Sequence, residues 1–282
     1  MMKHQFNRQK AANGFARLLL ILFILIVLYP MFWNIVSSFK TSAEFLGDPF
    51  ALPSRLEWDN YARALAKSNL LLNFKNTLIV EAAALITMML IVIPSAYCLS
   101  RFRFFGGKAL SGLYMSMIFI QTPCIMIPLF LAMNRLHLVN KLIPLGVLYA
   151  VGATPFSIFL LSGFMKSIPR DFEDAAMIDG AGWGRILVQI IVPMAKPGVV
   201  TVMMLAAMNN LSEYIVALVM LSDPAKQTVP VGITAMYEMQ RYATDWGALF
   251  AALVMVLIPT AAIYAFGQRY LMQGICVGGV KG

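Results

Sequence analysis

The sequence predicts an all-α integral membrane protein. Of its 282 residues 60% are hydrophobic and only 12% charged, and the mean hydropathy is +0.76. Soluble domains carry roughly a quarter charged residues. The second observation is six apolar stretches, each of about 20 residues or more, the length a helix needs to cross a hydrocarbon core of about 30 Å. The third is that nothing between them is long enough or regular enough for a soluble domain or an internal repeat. Residues 1–282 therefore read as one transmembrane domain.

The elements follow in order. The start of the chain carries Lys3, Arg8, Lys10 and Arg17 and no acid. A secretory signal peptide is the competing reading of a basic start before an apolar run. The run is long for that, and Val36-Ser37-Ser38 is a poor cleavage site, so a first span at about 15–39 is expected. Lys40 to Lys75 is a mixed-charge loop with Pro49, Pro53 and Glu57-Trp58-Asp59-Asn60-Tyr61. Further spans are expected at about 77–99, 110–133, 142–164, 199–221 and 246–266. Pro94, Pro123, Pro128, Pro155 and Pro259 fall inside them, which membrane helices tolerate where neighbours satisfy the freed carbonyls. Lys and Arg concentrate in the N-terminus, in Arg101–Lys108, in Lys166–Lys196 and in the tail with Arg269 and Lys281. The positive-inside bias therefore places both termini in the cytoplasm.

The net charge of +9 does not point to nucleic acid, because the basic residues flank spans instead of forming a stripe. Cys98, Cys124 and Cys276 have no metal or CxxC spacing and read as small buried apolar residues. His4 and His137 lie outside the spans, which excludes a histidine-based metal or catalytic centre in the membrane.

The stretch Ser167–Pro197 is a polar island between two spans. Ser167 can cap a helix, Pro169 suits its first turn, and Asp171, Glu173 and Asp174 put negative charge at the positive end of its dipole. Gly180, Gly182 and Gly184 allow a sharp turn. A second helix is expected from Arg185 towards Val192, with Pro193 and Pro197 at its exit. A cytoplasmic helix–turn–helix on short arms suits docking on a partner.

The island resembles the coupling loop of ATP-binding cassette importer permeases, whose pattern is E-A-A, three residues, G, nine residues, I-x-L-P. Here Asp174-Ala175-Ala176 stands at E-A-A, Gly180 at the glycine, and Ile190-Ile191-Val192-Pro193 at the end. Asp174 replaces the glutamate and Val192 the leucine. Asp179-Gly180-Ala181, Trp58-Asp59-Asn60-Tyr61, Leu221–Gly232 and the tail from Gln268 through Gly282 are similar to one branch, the carbohydrate (maltose-type) permeases, in particular the smaller second permease subunit. The resemblance implies a six-helix permease with a cytoplasmic coupling loop, in the cell membrane of a prokaryote. It implies ATPase coupling through Asp174, Ala175, Ala176, Asp179, Gly180, Ala181, Ile190 and Pro193. It also implies a second permease subunit, a pair of cytoplasmic ATPase subunits and an extracytoplasmic sugar-binding protein. The loop before the sixth span would face that binding protein, and the tail the ATPase pair.

Two further expectations come from the residues themselves. No Walker A pattern is present, since Gly106-Gly107-Lys108 lacks the upstream glycine and precedes Ala109, so the chain is expected to hold no ATP site, metal or other cofactor of its own. Glu81 and Glu213 are the only carboxylates within the spans, and intramembrane charges face bundle interiors or water. Asn209, Asn210 and Glu213 fall on one helical face in the outer half of the membrane and are expected to line a translocation pathway. Glu81 is expected to snorkel to the outer interface. The alternatives from other classes are an intramembrane enzyme, for which two carboxylates without a converging His, Lys or Arg are a poor set, and a secondary transporter, which usually shows inverted repeats.

Overall fold

This computed structural model describes residues 2–120, 122–239 and 245–279, with side chains from residue 13 to residue 268 except 121, 239–244 and 266. The helices run α1 Met2–Ser37, α2 Ser42–Gly47, α3 Asp59–Lys67, α4 Leu70–Arg101, α5 Gly107–Met117, α6 Met126–Arg135, α7 Leu142–Ser167 and α8 Asp171–Ile178. Then follow α9 Trp183–Met194 and α10 Lys196–Leu211, α11 Ile215–Met220, α12 Val229–Met239 and α13 Trp246–Gly279. No strand occurs among the described residues. The chain divides into two compact units, 1–68 with 235–258 and 69–234 with 259–282.

In the first unit, α1 is apolar from Asn13 to Ser37 and leaves Phe15 to Phe32 largely uncovered. Thr41 and Glu44 close a reciprocal capping box at the start of α2, satisfying amides that a helix start leaves orphaned. Trp33, Phe45 and Phe250 form a ring cluster with centroids 4.8–5.7 Å apart. Lys40 is buried, and its ammonium donates to the carbonyls of Pro49 at 2.7 Å and Asp48 at 3.4 Å. Its charge is thereby hydrogen-bonded rather than bare, as burial requires. Asp245 accepts from Lys67 at 2.6 Å and Arg63 at 2.9 Å. Burial pushes its carboxyl up, but those two cations outweigh it and hold it below the ordinary range.

The second unit is built on α4 and α7, which lie parallel: Gly146 sits against Val80 near both starts, and Arg101 reaches the Ile168 carbonyl at both ends. Met88, Val92, Ala96, Ile158, Leu161 and Met165 fill the seam. A Cβ on Gly146 would stand 2.6 Å from the Val80 carbonyl oxygen and 2.7 Å from Ala83 Cβ. Glycine is what lets the two backbones come this close. The loop after α11 is tied to the start of α4, where Asn76 donates to the carbonyls of Ala225 and Gln227, both at 3.0 Å, and Thr77 accepts the Val229 amide.

Several expectations are corrected. The stretch 110–133 is no single helix: α5 ends at Met117 and a 3-10 turn, Thr122–Ile125, precedes α6. Pro123 has no amide to continue the earlier ladder. The stretch 199–221 is helical to Leu211 and resumes at Ile215. Cys98 and Cys124 are exposed on the chain, not buried. The side chains of Arg269, Cys276 and Lys281 lie outside the described residues.

Gly146→Val should drive α4 and α7 apart at a cost of about 1–3 kcal/mol, read as a lower thermal midpoint of the purified protein. Gly163→Val, where an added Cβ meets nothing within 4 Å, should change stability by no more than about 0.5 kcal/mol and leave the midpoint close to the parent's.

Candidate functional site

The polar island folds as a helix–turn–helix, with changed boundaries. Ser167 is the last residue of α7, and its hydroxyl donates to the Phe164 carbonyl instead of capping the next helix. Pro169 lies before α8, whose N-cap is Arg170. Asp171, Glu173 and Asp174 do occupy the first turn of α8. The helix ends in a Schellman motif: the Ala181 amide donates to Ala176 O at 2.9 Å and the Gly180 amide to Met177 O at 3.0 Å. That closure needs a left-handed residue, and Gly180 supplies it at φ +81°. Gly182 is extended and starts α9, and Gly184 lies within it. So one glycine of the three carries the turn. The second helix starts at Trp183, earlier than expected, and includes a π-turn at Leu187–Ile191.

The motif residues divide by face. Asp174, Ala175, Asp179, Gly180 and Pro193 are exposed, while Ala176 is buried and Ala181 and Ile190 pack partly against the same core. Around the exposed ones stand Ile178 at 87%, Phe172 at 49% and Trp183 at 49% exposure. Large apolar side chains at this density on a polar loop mark a contact surface.

The inward face of α8 holds what the sequence reading missed. Glu173 is buried, and its Oε1 lies 2.7 Å from Arg101 Nε, the side chains being 6% and 5% exposed. The two atoms form an ion pair, off the line of an aligned hydrogen bond. Arg101 also donates to the Ile168 carbonyl at 2.8 Å, and Arg170 donates to the Arg101 carbonyl at 3.1 Å. One guanidinium thus joins the end of α4, the exit of α7 and the start of α8. The first-turn acid could have been noticed in the sequence; its partner, seventy-odd residues away, could not.

The membrane polar residues also converge, in a different arrangement from the one expected. Asn209 is exposed near the end of α10, and Asn210 is buried. Glu213 lies beyond the helix end, so the three share no helical face. Its carboxylate caps α11 instead: Oε1 accepts the Val216 amide at 2.7 Å and Oε2 the Ala217 amide at 3.1 Å. The Tyr149 hydroxyl donates to Oε2 at 2.7 Å. Glu81 does not snorkel; its carboxyl is hydrogen-bonded by the Asn210 side chain, and Oε1 is buried. Asn209, Asn210, Glu213 and Tyr149 form the polar wall of a cavity of about 190 Å³ whose other lining includes Leu129, Leu148 and Val216. Tyr149 was missed because a tyrosine inside an apolar run carries no sequence mark of its role.

Known proteins share this architecture. A model of the family described as "Binding-protein-dependent transport system inner membrane component" matches residues 8–275. The diacetylchitobiose uptake system permease protein NgcG of Streptomyces coelicolor is 35% identical over 96% of this chain and 89% of its own length. The trehalose/maltose transport system permease protein MalG of Thermococcus litoralis is 31% identical over 93% of this chain and 94% of its own. Among solved structures, a chain of a bacterial ATP-binding cassette transporter that imports the acidic polysaccharide alginate superposes with a TM-score of 0.79 at 26% identity. It covers 90% of this chain and 94% of its own.

Removing either partner of the Arg101–Glu173 pair strands a buried charge, a loss of about 3–5 kcal/mol. Arg101→Met and Glu173→Leu should each lower the thermal midpoint of the purified protein strongly, and the double variant should lose less than the two singles together. Strict additivity would mean that the two side chains do not interact.

Proposed function

As this chain belongs to the family of binding-protein-dependent transport system inner membrane components, we propose that it is the transmembrane subunit of an ATP-driven carbohydrate importer. With the family known, the intramembrane enzyme and the secondary transporter fall away. The observation that carries the proposal is the α8–α9 loop, which turns Phe172, Ile178 and Trp183 outward while Glu173 is held to Arg101. The sugar specificity of its relatives, diacetylchitobiose for one and trehalose or maltose for another, supports a carbohydrate as the transported class.

In this reading the chain is one permease of a pair. It sits in the cell membrane with six spans and both termini in the cytoplasm, and the paired ATPases bind and hydrolyse the nucleotide. Asp174, Ala175, Asp179, Gly180 and Pro193 meet an ATPase subunit; Ala176, Ala181 and Ile190 hold the loop on its own core. When the ATPases close on ATP, they displace α8. Because α8 is fixed to the ends of α4 and α7 through Arg101, the displacement passes into those spans as a rigid-body motion between inward- and outward-open states. A sugar-binding protein delivers its load on the far side, beside the loop tied down by Asn76 and Thr77. Asn209, Asn210 and Glu213 line part of the route, with Glu213 holding the broken helix open at that point.

The turn tests the reading. Gly180→Leu should leave permease levels in the membrane unchanged and abolish both ATPase co-purification and sugar uptake. Gly180→Ala should fall near Gly180→Leu, since space is open around the position but a left-handed φ costs a side-chain residue about 1–3 kcal/mol. Full ATPase retention with normal uptake in Gly180→Leu would remove the loop from coupling. Orientation has its own check. On a cysteine-free background, a membrane-impermeant thiol reagent added outside should label Ser54→Cys and spare Gly182→Cys, and the reverse pattern would invert the topology.

A further inference from the structure

At the end of the second unit where α4 and α7 finish and α5 begins lies a cavity of about 1200 Å³. Its lining includes five cationic side chains, Arg101, Arg103, Lys108, Lys166 and Arg170, and no aspartate or glutamate. Arg101 is committed to Glu173 and Arg170 to the Arg101 carbonyl. A smaller neighbouring cavity shares Arg101, Arg103 and Arg170 and is lined as well by the carboxylates Glu173 and Asp174. Among the described residues, Lys108 and Lys166 are in no ion pair. The Lys108–Lys166 end is therefore positive and uncompensated.

A second feature adjoins it. An apolar groove of about 230 Å³, lined by Pro94, Cys98, Leu110 and Tyr114, shares Leu99 and Phe104 with the basic cavity. It runs along α4 and α5, on the apolar part of both helices. Phe105, at the tip of the connecting loop, is fully uncovered. A free phosphate or a nucleotide would use the cations and leave the groove and Phe105 without purpose. A molecule with an anionic head and a hydrocarbon chain uses all three, and a basic pocket between helix ends at the membrane surface matches lipid phosphate.

We propose that the basic cavity and the apolar groove together bind one anionic phospholipid. The phosphate sits among Arg103, Lys108 and Lys166, one acyl chain lies in the groove between Pro94 and Tyr114, and Phe105 enters the bilayer beside it. The assignment rests on the importer reading only in placing the site at the inner leaflet. Lipid held here would brace the end of α4, the same end that carries Arg101.

The test uses the full-length chain, purified with its ATPase partner and titrated with phosphatidylglycerol, with phosphatidylcholine of the same acyl chains, and with inorganic phosphate, bound lipid being counted by native mass spectrometry. Phosphatidylglycerol should bind well above phosphatidylcholine. Arg103→Gln/Lys108→Gln/Lys166→Gln should weaken it about a hundredfold, at about fivefold per cation removed. Cys98→Trp, which fills the groove without changing charge, should weaken it as well. The control Lys75→Gln/Arg135→Gln/Lys141→Gln removes as much charge at the opposite helix ends and should leave binding unchanged. Equal weakening by the control would reduce the effect to net charge, and equal binding of both lipids would remove head-group recognition; either overturns the proposal. So would protection of inorganic phosphate binding by the same cations with phosphatidylglycerol indifferent, which would make the ligand a soluble anion. Loss of the ATPase from the basic-cavity variant with lipid retained would make the cavity a docking surface and end the lipid assignment. Failure of the unmodified chain to hold any ATPase would instead count against the importer reading, and the lipid titration would still stand by itself.

Discussion

The second unit depends on the burial of Arg101. A guanidinium leaving water loses several kcal/mol of solvation, and it stays charged, because arginine is not deprotonated in proteins. It can be buried only where its charge is compensated, and here Glu173 pairs with it and the Ile168 carbonyl accepts from it. This requirement fixes where α4 must end, how the chain leaves α7 and how α8 lies. The outer face of α8 is then free to carry the motif residues, because its inner face already holds the charge. A loop of this length held by apolar contact alone could slide; one that would bare a buried charge by moving cannot do so cheaply.

The polar cluster around Glu213 answers a different constraint. Within a bilayer every backbone amide needs a partner from the protein. The interruption of the helix at Ser212–Tyr214 frees the amides at the start of α11, and the Glu213 carboxylate takes two of them while Tyr149 supplies a donor to balance it. A second polar pair, Asn210 with Glu81, joins α10 to α4. The break and the cavity beside it therefore belong together: a continuous helix would satisfy its own amides and leave the carboxylate unpartnered. A polar wall at this depth is the local consequence of a broken span.

The first unit shows the opposite economy. No charge interrupts α1 from Leu18 to Trp33, and its apolar side chains are left uncovered from Phe15 to Phe32. In water that surface would be costly, about 25 cal/mol for each Å². In hydrocarbon it costs nothing, because lipid tails are as apolar as leucine. The same unit is closely packed where α3 meets α13, through small residues such as Ala64, Ala248, Ala251 and Ala252.

The sequence by itself determined the fold class, the approximate places of the apolar stretches and a glycine turn within Gly180–Gly184, of which the structure chose Gly180. Each of these follows from local chemistry: hydrophobic length decides whether a segment crosses a membrane, and a left-handed turn decides for glycine. It also singled out the polar residues of the membrane, since a carboxylate in an apolar run stands out whatever the fold. What those residues do was decided only in three dimensions. Glu213 as a helix cap, Glu81 bound to Asn210, the breaks at Ser212 and after Met117, and the Arg101–Glu173 pair all depend on which helices lie side by side. Periodicity along one chain measures how apolar a segment is and says nothing of its neighbour, and a buried charge is placed by its partner, which the sequence keeps seventy residues away.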